Sequence, residues 1–226
     1  MISILPQLDH LREQLDAARS GDPDAVHQLR VACARLDTWL RLAEEPELRA
    51  RLRRLRRSAA EARNLHITLA QELPPRFRAW LEQRQPKAQA RLSRRIAQPK
   101  TQALLAELQA LPPIRQAQAA AGRAALARTA LVRLPTNLHA PADWHRLRRT
   151  LRRVRYATEW LGQDASALKA AHEALGNQSD ALALADWLEL YPGGARRLRA
   201  RVQAQLQQGV DPALREELAT LLEALR

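Results

Sequence analysis

The chain has little of what disulfide-bonded proteins and common enzymes depend on. Its 226 residues include a single cysteine, Cys33, which excludes an internal disulfide framework and a Cys-rich metal site. The seven glycines form no phosphate-cradling Gly-rich loop. The sequence also has no G-x-S-x-G segment and no acidic cluster suited to Mg²⁺. We therefore expect a protein that is not an enzyme, with no cofactor and no metal ion.

Strand-forming residues and long apolar runs are also scarce. No segment approaches the length of a membrane span, and the first ten residues, MISILPQLDH, lack the basic and apolar regions of a signal peptide. Aromatic residues make up 4% of the chain, whereas Ala, Leu, Arg and Gln, which favour helices, dominate. The sequence predicts an all-α protein of the cytoplasm with no membrane partner.

The chain has an excess of positive charge. Its formal net charge at pH 7 is +13, and its pI is about 11.3. Of the 37 cationic residues only three are lysines, namely Lys87, Lys100 and Lys169. Arginine presents a planar fork that grips phosphate oxygens two at a time. These features predict a partner rich in negative charge, such as polyphosphate, nucleic acid or an anionic surface.

Prolines and glycines divide the chain into helical segments. The strongest breaks are Pro74-Pro75 and Pro112-Pro113. The predicted helices cover residues 4–19, 24–43, 47–72, 76–98, 100–111, 114–133, 142–162, 164–189, 193–208 and 211–225.

The second half of the chain repeats the first. The segment His-Gln-Leu-Arg at 27–30 recurs as His-Arg-Leu-Arg at 145–148, an offset of 118. At an offset of 116, further cations recur at matched positions, Lys169 on Arg53 and His172 on Arg56. We therefore expect two related helical bundles of about four to five helices each, over residues 1–113 and 114–226.

The predicted helix at 142–162 carries a polar and cationic stripe. Because each helical residue advances by about 100°, six side chains fall within an arc of roughly 100°. They are His145, Arg148, Arg152, Arg155, Tyr156 and Glu159. An anion lying along the stripe would relieve the repulsion between its cations. The matching helix of the first half has fewer cations in its stripe, because Ala34 and Asp37 occupy the positions that match Arg152 and Arg155.

Three segments resemble the CHAD family, the conserved-histidine α-helical domain. They are VHQLRVACARL at 26–36, WHRLRRTLRRVRYATEWL at 144–161 and ALGNQSDALALADWL at 174–188. The resemblance spans about residues 5 to 225. It implies two bundles with internal pseudo-two-fold symmetry, a basic groove between them, and binding of inorganic polyphosphate, often at polyphosphate granules. In place of the family's Arg-Asp-Leu-Asp-Val, residues 63–67 are Arg-Asn-Leu-His-Ile, without the two carboxylates.

The predicted partner is inorganic polyphosphate, and phosphate or sulfate is expected to fit the same groove. The residues predicted to line the groove centre are His27, Arg30, His145, Arg148, Arg152 and Arg155. Those predicted to extend it are Arg53, Arg56, Arg63, Arg91 and Lys169. Tyr156 and Glu159 are predicted to orient the cations. Three alternatives stay open: a nucleic-acid-binding protein, a protein that acts on phosphoanhydrides, and a scaffold for an acidic protein.

Overall fold

The computed structural model describes the backbone of residues 1–226 and all side chains except that of Asn177. The described residues form thirteen α-helices, and their only β-pairing is an isolated antiparallel bridge between Ile2 and Ile114. The predicted all-α class is confirmed. None of the described helices combines the length and the apolar character needed to cross a bilayer.

The first compact unit covers Met1–Ala119. Its helices are α1 (Leu5–Ser20), α2 (Pro23–Leu42), α3 (Pro46–Ser58), α4 (Ala60–Leu69), α5 (Pro75–Glu82), α6 (Gln85–Ile96) and α7 (Pro99–Gln109). Helix α8 (Gln116–Val132) begins in this unit and continues into the second. The side-chain amide of Gln118 donates to the Leu42 carbonyl oxygen at 2.9 Å. This contact ties the first turn of α8 to α2, so the unit boundary lies beyond Pro112-Pro113.

The second compact unit covers Ala120–Arg226. Its further helices are α9 (Pro141–Trp160), α10 (Ser166–Ala174), α11 (Gly176–Leu190), α12 (Arg196–Gln207) and α13 (Pro212–Glu223).

Three segments that were predicted as single helices are each divided in two. Segment 47–72 forms α3 and α4, segment 76–98 forms α5 and α6, and segment 164–189 forms α10 and α11. Ala59, between α3 and α4, has a ψ of −2°, which tightens the backbone into a turn. Pro86 starts α6 because it has no N–H to continue the preceding helix. The apolar spacing continues through these turns, so periodicity alone does not reveal them, and the first unit has more helices than predicted.

The core of the first unit is built on α2. One face of this helix is fully buried and consists of Leu29, Cys33, Leu36 and Leu40. The Asp22 carboxylate accepts from the Ala25 amide at 2.6 Å and caps the helix, and Pro23 follows at its start. Burial of that apolar face leaves His27 and Arg30 on the partly exposed side of α2.

Helix α9 has the same role in the second unit. Leu147, Leu151 and Val154 are fully buried, and α9 packs against α10 and α11. The Trp144 indole donates to the Leu138 carbonyl oxygen at 3.1 Å, which fixes the start of the helix. This packing leaves His145, Arg148 and Arg152 partly exposed, whereas Tyr156 of the same stripe is buried in the core.

A loop at Gly209 joins three segments of the second unit. The Val210 amide donates to Leu138 O at 2.9 Å, and the Gln178 side-chain amide donates to Gly209 O at 2.6 Å. Gly209 has a φ of +73°, and a Cβ atom there would lie 2.5 Å from the carbonyl oxygen of Leu138. Both the backbone angle and the close approach therefore require glycine.

We expect Gly209→Ala to lower the free energy of unfolding by about 1–3 kcal/mol, because alanine is strained at this φ and collides with Leu138. Urea unfolding followed by circular dichroism measures the loss. The control is Gly194→Ala, where a Cβ atom meets nothing within 4 Å. Equal stabilities for the two variants would show that the loop does not constrain the unit.

Candidate functional site

The cationic stripe of α9 contacts both following helices. His145 Nδ1 lies 3.1 Å from the hydroxyl oxygen of Ser179 on α11. Arg148 Nε donates to the carbonyl oxygen of His172 on α10 at 3.2 Å. His145, Arg148 and Arg152 are all partly exposed. The stripe is thus held against the unit while part of each side chain still reaches solvent.

His172 belongs to this cluster although it was not predicted as a site residue. Burial and, after it, the positive charges of Arg148, Arg155 and Arg152 together lower its pKa to about 3. Its Nε2 atom is buried and has no hydrogen-bond partner among the described residues. The imidazole is therefore neutral at pH 7 and sits among three guanidinium groups. The feature of the sequence that could have identified His172 as a site residue is its match to Arg56 at an offset of 116.

The two residues that were predicted to orient cations both contact Arg155. Arg155 Nε lies 3.2 Å from Glu159 Oε1, and its guanidinium carbon lies 4.7 Å from the centre of the Tyr156 ring. The Arg155 side chain is only 12% exposed. It therefore offers less surface to a ligand than the sequence implied. Lys169 lies exposed on α10 and makes no side-chain hydrogen bond to a described residue.

Arg148 is charged in a partly buried position. Burial lowers its pKa, and the neighbouring positive charge of Arg155 acts in the same direction. Asp180 and Tyr156 oppose the effect. Taking a guanidinium out of water has a cost that nearby anions reduce. A bound anion would stabilise Arg148 for the same reason.

The first unit has its own cluster on α2, α3 and α4. Arg30 Nη1 donates to the carbonyl oxygen of Arg56 at 3.1 Å. Burial and, after it, the charges of Arg56 and Arg63 together lower the pKa of Arg30 to about 10. Burial also lowers the pKa of His27, and Arg63 is the next cause. His27, Arg30, Arg56 and Arg63 are thus brought together, as the sequence predicted for this half.

His66 is a second histidine that sequence reasoning did not assign to the site. Burial and the Arg63 charge lower its pKa, and its Nδ1 atom is buried without a hydrogen-bond partner. The positive charge of Arg63 therefore lowers the pKa of both His66 and His27. The feature of the sequence that could have identified His66 is its place in the motif at 63–67, where it replaces the Asp that is usual in the CHAD family.

One contact occurs in both units at matched positions. In the first unit Arg30 donates to the carbonyl oxygen of residue 56, and in the second Arg148 donates to that of residue 172. The donors are 118 positions apart and the acceptors 116, the offsets at which the sequence repeats. A guanidinium can satisfy a carbonyl through one N–H and still present other donors. Each contact therefore holds an arginine in place and leaves its other N–H donors available for a ligand.

Two residues that were predicted to bind the ligand are already paired with carboxylates. Arg53 Nε lies 2.8 Å from Asp37 Oδ1, and Arg91 Nη2 lies 2.6 Å from Glu61 Oε2. Helical spacing did not reveal these partners, because each carboxylate lies on a different helix from its arginine. Both arginines keep exposed surface, but each already has a carboxylate partner within the unit.

The chemistry that these residues support is anion binding. The described residues contain no group of three or more His, Cys, Asp and Glu placed to hold a metal ion. Burial raises the pKa of the Cys33 thiol to about 12, so this group is not a thiolate nucleophile at pH 7. Guanidinium groups bind phosphate oxygens as hydrogen-bond donors, and neutral imidazoles donate one more N–H each.

The stability of the protein should fall as the pH is lowered from 7 to 4. The folded-state pKa of His172 is about 3, below the reference value of 6.5, so only the unfolded chain takes up this proton across the interval. One such group contributes at most about 1.4 kcal/mol per pH unit. Urea unfolding in phosphate-free buffers measures the slope. His172→Gln should flatten it and the control His10→Gln, on α1, should not. An unchanged slope in His172→Gln would contradict this account.

Comparisons with known proteins agree with the fold and the motif positions. The family described as CHAD domain matches residues 3–189. The crystal structure of the CHAD domain from the plant Ricinus communis is similar with a TM-score of 0.79 and 22% identity, covering 99% of this chain and 90% of that one. PptA from Streptomyces chartreusis is similar with a TM-score of 0.61 and 17% identity, covering 100% and 98%. No curated protein matches the sequence. The chain belongs to the CHAD domain family.

Proposed function

We propose that this protein binds inorganic polyphosphate without chemical turnover, through the Arg- and His-lined surface of each unit. The observation that carries the proposal is the repeated arginine contact. Arg30 and Arg148 are each held at a carbonyl of the next helix, beside histidines whose pKa is lowered. A cationic cluster that is partly buried is costly unless an anion joins it. Because the cluster occurs in both units, the ligand is expected to carry many negative charges.

A linear phosphate polymer suits the stripe of α9. Arg148, Arg152 and Arg155 follow one another at about one helical turn, roughly 5.4 Å along the axis. A flexible chain with one charge per phosphate places successive charges along such a row, and each arginine fork can donate to two oxygens. Contacts of this kind recognise phosphate charge and require no base, which is why polyphosphate is favoured over nucleic acid.

The proposed role is binding rather than catalysis. Enzymes that transfer or hydrolyse phosphoryl groups use carboxylates to hold Mg²⁺ beside the phosphates. The cluster here is cationic, and a divalent ion would be repelled from it. We place the activity in the cytoplasm, at polyphosphate granules. Release of orthophosphate from polyphosphate by the purified protein with Mg²⁺ present would overturn this part of the proposal.

We expect the double substitution Arg148→Ala/Arg152→Ala to weaken binding of long-chain polyphosphate by about tenfold or more, since each lost phosphate contact costs on the order of 1 kcal/mol. Fluorescence anisotropy with labelled polyphosphate measures the Kd. The control Arg196→Ala/Arg197→Ala removes the same charge from exposed positions of α12. Circular dichroism establishes that both variants fold. Equal losses in the two variants would mean that only overall charge matters, and would refute the assigned surface.

Polyphosphate affinity should increase as the pH falls from 8 to 6. His27 and His145 have lowered pKa values in the free protein, and a nearby anion raises them, so the complex holds more protons. The gain is about tenfold per pH unit for each full proton, and smaller for partial uptake. Calorimetry in two phosphate-free buffers of different ionisation enthalpy measures the protons. A Kd that is independent of pH, or unchanged pH dependence in His27→Gln/His145→Gln, would contradict this expectation.

A further inference from the structure

One pair of charges is reversed between the two repeats. In the second unit, α9 carries Arg155 and, one turn later, Glu159, whose nearest atoms Nε and Oε1 are 3.2 Å apart. At the offset of 118 the first unit carries Asp37 and Arg41 on α2. The position that holds a cation in one unit therefore holds a carboxylate in the other. The reversal is a feature of this chain that the shared repeat does not explain.

The Asp37 carboxylate is buried and is surrounded by arginines of α3. Its side chain is 3% exposed, and its Oδ1 atom lies 2.8 Å from Arg53 Nε and 3.5 Å from Arg49 Nε. Burial lowers the pKa of Arg49, and Arg53 and Arg41 lower it further, while Asp37 opposes them. Two guanidinium groups thus lie against one acid. This carboxylate has the environment that a bound phosphate oxygen would have.

The cations around Asp37 exceed what one carboxylate satisfies. The Nη2 atom of Arg49 is buried and lacks a hydrogen bond to any described residue. Arg53 uses Nε on Asp37 and has 37% of its side chain exposed, so its outer N–H groups face solvent. The second unit has no arginine at the two matched α3 positions, which are Ala165 and Lys169. Lys169 keeps a cation at the position of Arg53, so the first unit adds the acid and one further cation, Arg49.

We propose that Asp37 is a built-in counterion of the first unit, which occupies with its carboxylate the place where a ligand phosphate would meet Arg53. This inference rests on the proposed binding of polyphosphate. Asp37 neutralises part of the charge of Arg53 and so weakens the contribution of the first unit. The principal affinity of the protein then resides in the second unit, where the position that matches Asp37 carries no carboxylate. Asp37 is a residue that sets affinity, not one that contacts the ligand.

The test is the effect of Asp37→Asn on the polyphosphate Kd. Asparagine keeps an oxygen for the Arg53 hydrogen bond and removes the charge. We expect binding to tighten by about three- to tenfold, with a steeper salt dependence, by about 0.7 in the slope of log K against log salt for one added phosphate contact. The matched control is Glu107→Gln, which removes a carboxylate from Arg51 in the same unit, at an ion pair outside the predicted site. It should change the Kd by less than about twofold.

A second variant covers the case in which Asp37→Asn does not fold. Asp37→Asn/Arg49→Gln removes the Asp37 carboxylate and one of the two arginines beside it. The net charge equals that of the wild type, but Arg53 no longer has a carboxylate partner. It too should tighten binding. Unchanged or weaker binding in whichever variants fold, or equal tightening in Glu107→Gln, would overturn the role of Asp37. Wild-type protein that binds no polyphosphate would refute the proposed function itself, a result that is separate from these.

Discussion

A guanidinium group that donates to a main-chain carbonyl of the next helix holds the cationic surface of each unit in place. Arg30 makes this contact with residue 56, and Arg148 makes it with residue 172. A carbonyl oxygen accepts the hydrogen bond without neutralising the charge, unlike a carboxylate. Each unit therefore contains an arginine that is fixed, partly buried and still fully cationic. Burial is the main cause of the lowered pKa values of His27 and His172, and the charges of the neighbouring arginines lower them further.

The histidines in these clusters complete the arrangement by staying neutral. A protonated imidazole beside Arg148 or Arg63 would add repulsion in a poorly solvated place, whereas a neutral one still offers a single donor. A bound phosphate would stabilise the charged forms of both arginine and histidine, and would raise the pKa of the histidines. Binding and proton uptake are therefore coupled in the proposed function. The carboxylate of Asp37 has the same effect within the protein, since Arg49 and Arg53 both lie against it.

The sequence was sufficient for the helical class and for much of the cationic clusters, because helical spacing and the repeat offsets both depend on local pattern. It did not reveal the turns at Ala59 and Leu175, where apolar spacing continues through a change of direction. It missed His172 and His66, whose membership depends on which helix packs beside which. It also placed Arg53 and Arg91 among the binding residues without their carboxylate partners, and the importance of Asp37 as an acceptor was equally hidden. The contacts of Arg30 and Arg148 with main-chain carbonyl oxygens could not be predicted either, because any residue type can supply the acceptor.

The proposed function is the binding of a phosphate polymer through fixed cations that recognise charge density and not bases. The most direct measurement is the Kd for long-chain polyphosphate and for single-stranded DNA of matched charge, each at two salt concentrations. We expect polyphosphate to bind more tightly, to weaken steeply with salt as counterions are released, and to resist displacement by the DNA. Equal affinity for DNA, or polyphosphate binding that is weak and insensitive to salt, would contradict the account.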